Sequence, residues 1–285
     1  MKLLSLLLQP AKTVLKHTQS KRFATIVRLA SYAKRLDCGG SPPLFHRAAM
    51  AAVILFVAPG ATAQTTNVLS DAEVRGRQLA QQLLEQRPTE NFTNTGVLKI
   101  TGRNGSHTNL LITFKTLVFS DSWENVCDAE TWTAEIEIVH KDNQPSVYFN
   151  HAESNLRLTP LGNSNINSPF AGSDFWLCDL GLEFLHWPDQ KILRGETMRG
   201  VFCKVLESSN PNPPTNAYSR VVSWIDNESF GIVQAKAYDA KGNLLKEFWP
   251  KDIRKMNGQW QVGSLDIRNV QTRSRTKLEF DLKAK

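Results

Sequence analysis

The spacing of apolar residues changes at Pro88 from a helical period to an alternating one. Ser70 and Glu73 form the Ser-x-x-Glu pattern that caps the start of a helix. Apolar residues then recur every three or four positions as far as Pro88, which cannot continue a helix. The pattern predicts a helix that begins at Ser70-Asp71, ends near Arg87 and packs one face on a neighbouring element.

From residue 96 onward the alternating segments predict about eleven antiparallel strands. In residues 131–140 one face carries Trp132 and Ile136 while the other carries Thr and Glu, which is typical of a sheet with one solvated face. Short polar gaps predict hairpins, and the alternation slips at Gly263, where we expect a bulge. The predicted strands cover residues 96–101, 110–119, 131–140, 146–151, 191–196, 198–207, 218–226, 231–238, 243–249, 259–269 and 272–283.

A second helix is predicted over Phe175 to His186, after the capping pair Ser173-Asp174 and before Pro188. It is apolar on nearly every side and should be buried. The fold class is therefore mainly β, within α+β. One large, curved antiparallel sheet must close, pair with a second sheet, or have its concave face covered by helices, and the last arrangement leaves an apolar trough.

The first 63 residues differ from the rest and predict a leader with a secretory signal peptide. Its apolar core covers about residues 48–58, follows Arg47, and precedes Ala61-Thr62-Ala63, a small-x-small site that predicts cleavage after Ala63. A retained anchor, an organelle transit peptide and an internal translation start are alternatives. We expect residues 64–285 to be one exported, periplasmic domain without a transmembrane span.

Charge supports this division. Residues 1–63 contain nine Lys or Arg and one acidic residue, so they carry +8, and residues 64–285 carry −1 of the chain's net +7. Because the body is nearly neutral, the sequence pI of about 9.3 does not predict a nucleic-acid-binding surface.

Candidate chemistry is sparse. The sequence has no nucleophile elbow, phosphate-binding loop, dinucleotide fingerprint or zinc-protease motif, so we expect no enzyme activity, no metal and no cofactor. Cys127, Cys178 and Cys203 lack metal-ligand spacing to the histidines. In an oxidising compartment they could form one disulfide with one thiol left over, or remain small buried thiols.

Six segments, taken in order along the chain, carry a resemblance to a known family: Gly172–Phe175, Gly200–Leu206, Tyr218–Asp226, Ala237–Lys246, Gly258–Trp260 and Asn269–Leu278. Together they resemble the outer-membrane lipoprotein-sorting proteins, the relatives of the periplasmic lipoprotein carrier LolA. The resemblance covers about residues 70–283 and departs after Ser-Asp-Phe, where Trp176-Leu177-Cys178-Asp179 replaces the expected aromatic and acidic pair. It implies an unclosed antiparallel half-barrel covered by two or more helices, with acyl chains or another lipid bound in the concave face and no catalysis.

The resemblance predicts a carrier or holder of lipidated protein or another amphiphile, with Asp174 to His186 as its lid and inner- and outer-membrane envelope proteins as further partners. The alternatives are a non-catalytic envelope interaction module whose barrel is filled by its own helices, and an unrecognised hydrolase. Strand parity gives the candidate ligand-binding residues, each of which could equally be plain core: Ile112, Phe114, Ile136, Ile138, Val205, Trp224, Leu278 and Phe280.

Overall fold

The computed structural model describes residues 69–281, except 131, 133, 143, 153–159, 163–164 and 257–258. The predicted leader, its apolar core and its cleavage site lie outside the described residues. Within them, no helix is long and apolar enough to cross a bilayer.

Helix α1, Asp71–Leu84, has the predicted capping box. The Ser70 N–H donates to Oε2 of Glu73 over 2.7 Å, and the Glu73 N–H donates to the Ser70 hydroxyl over 3.3 Å. The helix ends three residues before the predicted Arg87. It buries Gly76, Leu79, Ala80 and Leu83 and packs mainly against strand β6, Asp189–Met198.

In the part of the chain that the structure describes, twelve antiparallel strands form one sheet. The strand order runs from β5 through β1 to β12 and then back to β6, so β5 and β6 are the edges, and the described residues show no pairing that closes a barrel. The other strands are β1 Phe92–Thr101, β2 His107–Val118, β3 Ser122–Ala129, β4 Ala134–Lys141, β5 Val147–Ala152, β7 Val201–Ser209, β8 Arg220–Asp226, β9 Ile232–Tyr238, β10 Leu244–Met256, β11 Gln259–Asn269 and β12 Ser274–Phe280.

The mainly β class and the single unclosed antiparallel sheet confirm the sequence prediction. The prediction lacks β3, because the residues of this strand lie in the gap between the predicted strands 110–119 and 131–140. The predicted irregularity at Gly263 is confirmed, because the β10–β11 register passes from Ser264 to Val262 without pairing Gly263.

Residues 175–186 do not form the predicted single helix. They contain the short helix α2, Leu177–Gly181, and a 3₁₀ turn, Glu183–His186. Leu182 interrupts them with φ of 52°, in the left-handed region that L-residues avoid, so the backbone changes direction there. We call Asn165–His186, which also includes the 3₁₀ turns Asn165–Asn167 and Phe170–Gly172, the lid segment.

Candidate functional site

The lid segment packs on one face of the sheet, which we call the inner face. Its apolar side chains join those of the inner face in the main buried cluster. The Phe170 ring lies 6.2 Å from that of Phe114 on β2, and the Phe175 ring lies 6.4 Å from that of Phe248 on β10. The buried lid residues are Ile166, Phe170, Ala171, Phe175, Leu177, Cys178, Leu180, Leu182, Phe184 and Leu185.

Asp174 fastens the start of the lid to β12. Its N–H donates to the hydroxyl of Thr276 over 2.9 Å, and that hydroxyl donates to Oδ2 of Asp174 over 2.8 Å. Ser274 donates a further hydrogen bond to Oδ1. Both residues belong to the last strand, so the lid is attached to an element about 100 positions away in the chain.

Lys246 fastens the middle of the lid to β10, and only 2% of the residue is exposed. Its Nζ donates to the Asp174 carbonyl over 2.7 Å and lies 3.6 Å from Oδ2 of Asp179. Tyr218 also donates to that carboxylate, over 3.1 Å. The rings of Trp176 and Tyr218 stack at 4.5 Å, and the ammonium lies 3.6 Å from the Trp176 centroid.

Burial sets the electrostatics of this group. Loss of solvation lowers the pKa of Lys246 to about 8, although the Asp179 carboxylate opposes that shift. The same loss of solvation raises the pKa of Asp179, against the opposing charge of Lys246. Burial also raises the pKa of Tyr218 well above its ordinary value. Each ion of the pair is therefore held at a desolvation cost that the other ion offsets.

A cavity of about 30 Å³ lies beside this group, between the lid and strands β8 to β11. That volume holds one or two water molecules and no acyl chain. The trough that the sequence predicts is therefore filled by the lid in this structure. Its lining is apolar except for three polar residues, and consists of Asp179, Leu182, Phe184, Tyr218, Val221, Ile232, Ala235, Ala237, Lys246, Phe248 and Ile267.

Six of the eight candidate ligand-binding residues belong to the main buried cluster, alongside the lid. They are Ile112, Phe114, Ile136, Ile138, Leu278 and Phe280. Val205 and Trp224 do not lie with them. They form a second buried cluster with Cys203 and Val222. The residue after each of the two, Leu206 and Ile225, belongs to the main cluster, so alternation assigns Val205 and Trp224 to the outer face.

The end of the β6–β7 hairpin explains why this outer cluster is buried. Arg199, in the turn, lies over the ring of Trp249 at 5.5 Å and donates to the Pro250 carbonyl over 3.5 Å. Met198 packs against the second cluster. The hairpin thus folds over the outer face, and both faces of β8 become buried.

A chain of buried polar residues on β2, β3 and β4 is missing from the sequence prediction. Thr116 donates to the Asn125 amide oxygen over 2.9 Å, which leaves the Asn125 amide nitrogen to donate to Nε2 of His140 over 2.8 Å. Nδ1 of His140 then donates to Ser146 over 2.8 Å. The Trp123 ring stacks on the imidazole, so this part of the inner face is polar and tightly packed.

An open cleft of about 630 Å³ lies beside the end of α1. Arg87 lines it, lies 3.5 Å from Asp142, and donates three further hydrogen bonds to the carbonyls of Phe119, Ser120 and Ser122. Two arginines and two acidic residues among its lining groups balance in charge. The cleft therefore shows no charge preference for a ligand.

The three thiols Cys127, Cys178 and Cys203 are all free and buried, so the structure contains none of the disulfides that the sequence left open. Burial raises the pKa of Cys127 to about 12 and raises those of Cys178 and Cys203 as well. Among the described residues, no group of three or more His, Cys, Asp or Glu side chains is placed to hold a metal ion.

A family model described as "-like: Uncharacterized protein" matches residues 128–283, which is more than half of the chain. The chain belongs to this family. No curated protein matches it.

Solved structures place this family member among LolA-like folds. A DUF1329 family protein from Desulfovibrio piger is 17% identical, with a TM-score of 0.62 over 74% of this chain and 92% of that one. A domain described as outer membrane lipoprotein-sorting, from Vibrio parahaemolyticus, is 19% identical, with a TM-score of 0.60 over 74% and 92%.

A LolA superfamily protein from Nitrosomonas europaea is 13% identical, with a TM-score of 0.53 over 75% of this chain and 93% of that one. The resemblance stated from the sequence is confirmed by these folds. At such identities the likeness establishes the LolA-like fold, and the ligand has to be argued from the site itself.

Proposed function

We propose that this LolA-like chain is a non-catalytic, periplasmic carrier or holder of an amphiphile, such as a lipidated protein. The acyl chains of the amphiphile would occupy the space between the lid segment and the inner face after the lid moves away. Burial of each methylene group contributes about 0.8 kcal/mol. The lid would return to the closed arrangement described above when the acyl chain leaves.

The apolar contact between lid and sheet supports this proposal. Phe175, Leu182 and Phe184 of the lid cover an inner face that is lined by Val221, Ile232 and Ile267. A displaced lid would expose an apolar surface on the lid itself and on the inner face. An acyl chain is the type of ligand that can cover such surfaces without needing hydrogen-bond partners.

The observation that carries the proposal is the way the lid is fastened. Asp174 and Asp179 hold it through side chains of β10 and β12, while the remaining contact with the inner face is mainly apolar. Two small residues, Ala235 and Ala237, line the small cavity beside this fastening, so the lid has few large side chains beneath it at this point.

The test is binding of cis-parinaric acid, a fatty acid that fluoresces in apolar surroundings, together with native mass spectrometry and lipid extraction of the purified chain. We expect saturable binding, or a co-purified lipid, in the wild type. Ala235→Leu fills the cavity beneath the lid and should weaken binding about tenfold or more.

Val222→Leu is the matched control. It also introduces leucine into the same sheet, adding one methylene group where Ala235→Leu adds three carbon atoms, but in the cluster on the outer face. Both variants must retain the wild-type circular dichroism spectrum. Equal loss of binding in both variants, or no uptake by the wild type, would contradict the proposal.

The small cavity volume also favours a second function, that of an interaction module whose trough is filled permanently by its own lid. In that case hydrogen exchange of the lid amides would require global unfolding, and added lipid would leave it unchanged. Under the carrier proposal, lid amides exchange faster than the amides of β11 and β12, and bound lipid changes their rates.

A further inference from the structure

One end of the sheet exposes large apolar side chains on two neighbouring hairpins. Phe202 at the start of β7 is 58% exposed, and Ile253 on β10 is 52% exposed. Val201 and Leu193 of the β6–β7 hairpin are also exposed, at 36% and 39%. Water-exposed aromatic and aliphatic residues that cluster in this way mark an interaction surface.

The two hairpins lie together. Arg199, in the β6–β7 turn, donates to the Pro250 carbonyl of β10 and lies over the Trp249 ring. The turn between β8 and β9 joins the same end, because the Asn227 N–H donates to the Phe202 carbonyl over 3.1 Å. The exposed apolar residues therefore form one tip, which we define as residues 193–204 and 250–253.

The two most exposed apolar side chains of the tip, Phe202 and Ile253, belong to the inner face. Phe202 is two residues from Lys204, which pairs with Ile225 of the main buried cluster. Ile253 pairs with Val262, another member of that cluster. Since paired residues of antiparallel strands share a face, the tip continues the apolar inner face to its rim.

Basic residues surround these apolar side chains. The tip contains four basic residues and two acidic ones, Glu196 and Asp252. Glu196 is already bound by Arg194 at 2.8 Å. The nearby Asp226 carboxylate accepts the backbone N–H groups of Glu228 and Ser229 in its own turn. The tip thus has an excess of positive charge in a body that is nearly neutral.

We propose that this tip docks on an anionic phospholipid membrane surface. Phe202 and Ile253 enter the boundary between headgroups and acyl chains, and Arg199, Lys204 and Lys251 bind lipid phosphates. Exposed aromatic and aliphatic residues flanked by Lys and Arg are the combination that favours such a surface.

The docked tip would also connect the membrane to the cavity beneath the lid. Phe230, in the adjoining turn, packs against the main cluster, and Ile232 lines the cavity. The turn that carries Phe230 is bonded to Phe202 through the Asn227 N–H, so the tip adjoins the apolar residues next to the lid. Docking stands independently of lipid uptake, because a surface can hold the chain on a membrane whether or not the lid opens.

The test is co-sedimentation of the chain, purified in the form the cell produces, with phosphatidylcholine vesicles that either contain or lack phosphatidylglycerol. We expect binding to the anionic vesicles that falls when salt is added. The double variant Phe202→Ser/Ile253→Ser should bind these vesicles at least about tenfold more weakly than the wild type. Lys204→Gln/Lys251→Gln should lose the preference for phosphatidylglycerol.

Leu111→Ser is the matched control, because Leu111 is 57% exposed on the outer face of β2, away from the tip. Lys115→Gln on the same strand controls for charge. Phe202 covers Gly195 of β6, so Ile253→Ser alone serves as a second variant if the Phe202 change destabilises the hairpin.

Equal binding by the tip variants and their controls would overturn the proposal, as would capture of a protein by the tip without binding to vesicles. Uptake of cis-parinaric acid from solution is measured in parallel. If the tip variants still take up cis-parinaric acid but no longer bind vesicles, docking is confirmed as a separate function. If the chain binds vesicles but takes up no cis-parinaric acid, only the carrier proposal is contradicted.

Discussion

Gly181 of the lid lies directly against the side chain of Tyr148 on the edge strand β5. A Cβ atom at position 181 would lie 2.0 Å from the Tyr148 hydroxyl oxygen and 2.8 Å from the ring carbon that carries it. That hydroxyl donates to Oε2 of Glu183 over 3.2 Å. The lid therefore approaches β5 at a point where only glycine fits.

Gly181→Ala should push the lid away from β5. Gly181 has a backbone conformation that alanine can adopt, so the effect is steric, and we expect a loss of about 1–3 kcal/mol in the free energy of unfolding. Chemical denaturation measures it. Gly162→Ala is the control, because no atom lies within 4 Å of a Cβ at position 162. Equal stability of the two variants would show that the lid tolerates displacement at β5 without cost.

Lys246→Met should destabilise the fold more than a change of both partners. The single change leaves the Asp179 carboxylate buried without its cation, which costs about 3–5 kcal/mol. Lys246→Met/Asp179→Asn removes both charges and should recover at least part of that loss. Urea denaturation of the two variants and the wild type checks the order. A double variant less stable than the single one would contradict a compensating ion pair.

The free energy of unfolding should depend on Lys246 above about pH 8. The pKa of Lys246 is lowered to about 8 in the folded chain from 10.5. Between these values the unfolded chain holds a proton that the folded chain has released, so this residue's contribution to stability rises with pH by at most about 1.4 kcal/mol per unit. Below about pH 8 the full cost of burying the charged amine is present.

The buried thiols act in the opposite direction, because their raised pKa values lower stability as the unfolded thiols ionise near pH 9. The measured quantity is therefore the difference in stability between the wild type and Lys246→Met/Asp179→Asn, followed from about pH 7 to 10. We expect that difference to shift in favour of the wild type above pH 8. A constant difference would show that folding does not lower the pKa of Lys246.

Cys127, Cys178 and Cys203 should be unreactive in the folded chain. A thiol with a pKa of about 12, as at Cys127, forms almost no thiolate at neutral pH, and burial also prevents access. Titration with an aromatic disulfide reagent should modify these three thiols only after denaturant is added. A reductant should leave the melting temperature unchanged. Fewer accessible thiols after denaturation would reveal a disulfide.

Alternation predicted most of the sheet, and its failures have physical causes. The sequence does not predict strand β3, because Asn125 occupies a buried inner position where it bonds to Thr116 and His140. A polar residue at an inner position interrupts the alternation of apolar and polar residues that indicates a strand. Val205 on β7 and Trp224 on β8 are candidates because both strands carry apolar residues on both faces. The reason is the β6–β7 hairpin that covers the outer face through Arg199, a contact that local sequence does not indicate.

The candidate site was predictable only in part. Six lining residues follow from strand parity, because an inner apolar face repeats every two residues. The fastening of the lid was not predictable, since Lys246 is 67 residues from Asp179 in the chain and 70 from Trp176. A lysine within an alternating strand is usually solvent-exposed, and only the lid above it supplies the carboxylate and the aromatic rings.

The pairing of β1 with β12 has a consequence for biosynthesis. Residues 96–101 hydrogen-bond with residues 275–280, so the two halves of the sheet are joined by the first and last strands to be translated. Residues 275–280 must leave the ribosome before β1 and β12 can pair, and loop closure over so long a separation in the chain is slow. Until residues 275–280 have been synthesised, β1 therefore lacks one of its two neighbours, and the two halves of the sheet stay unjoined.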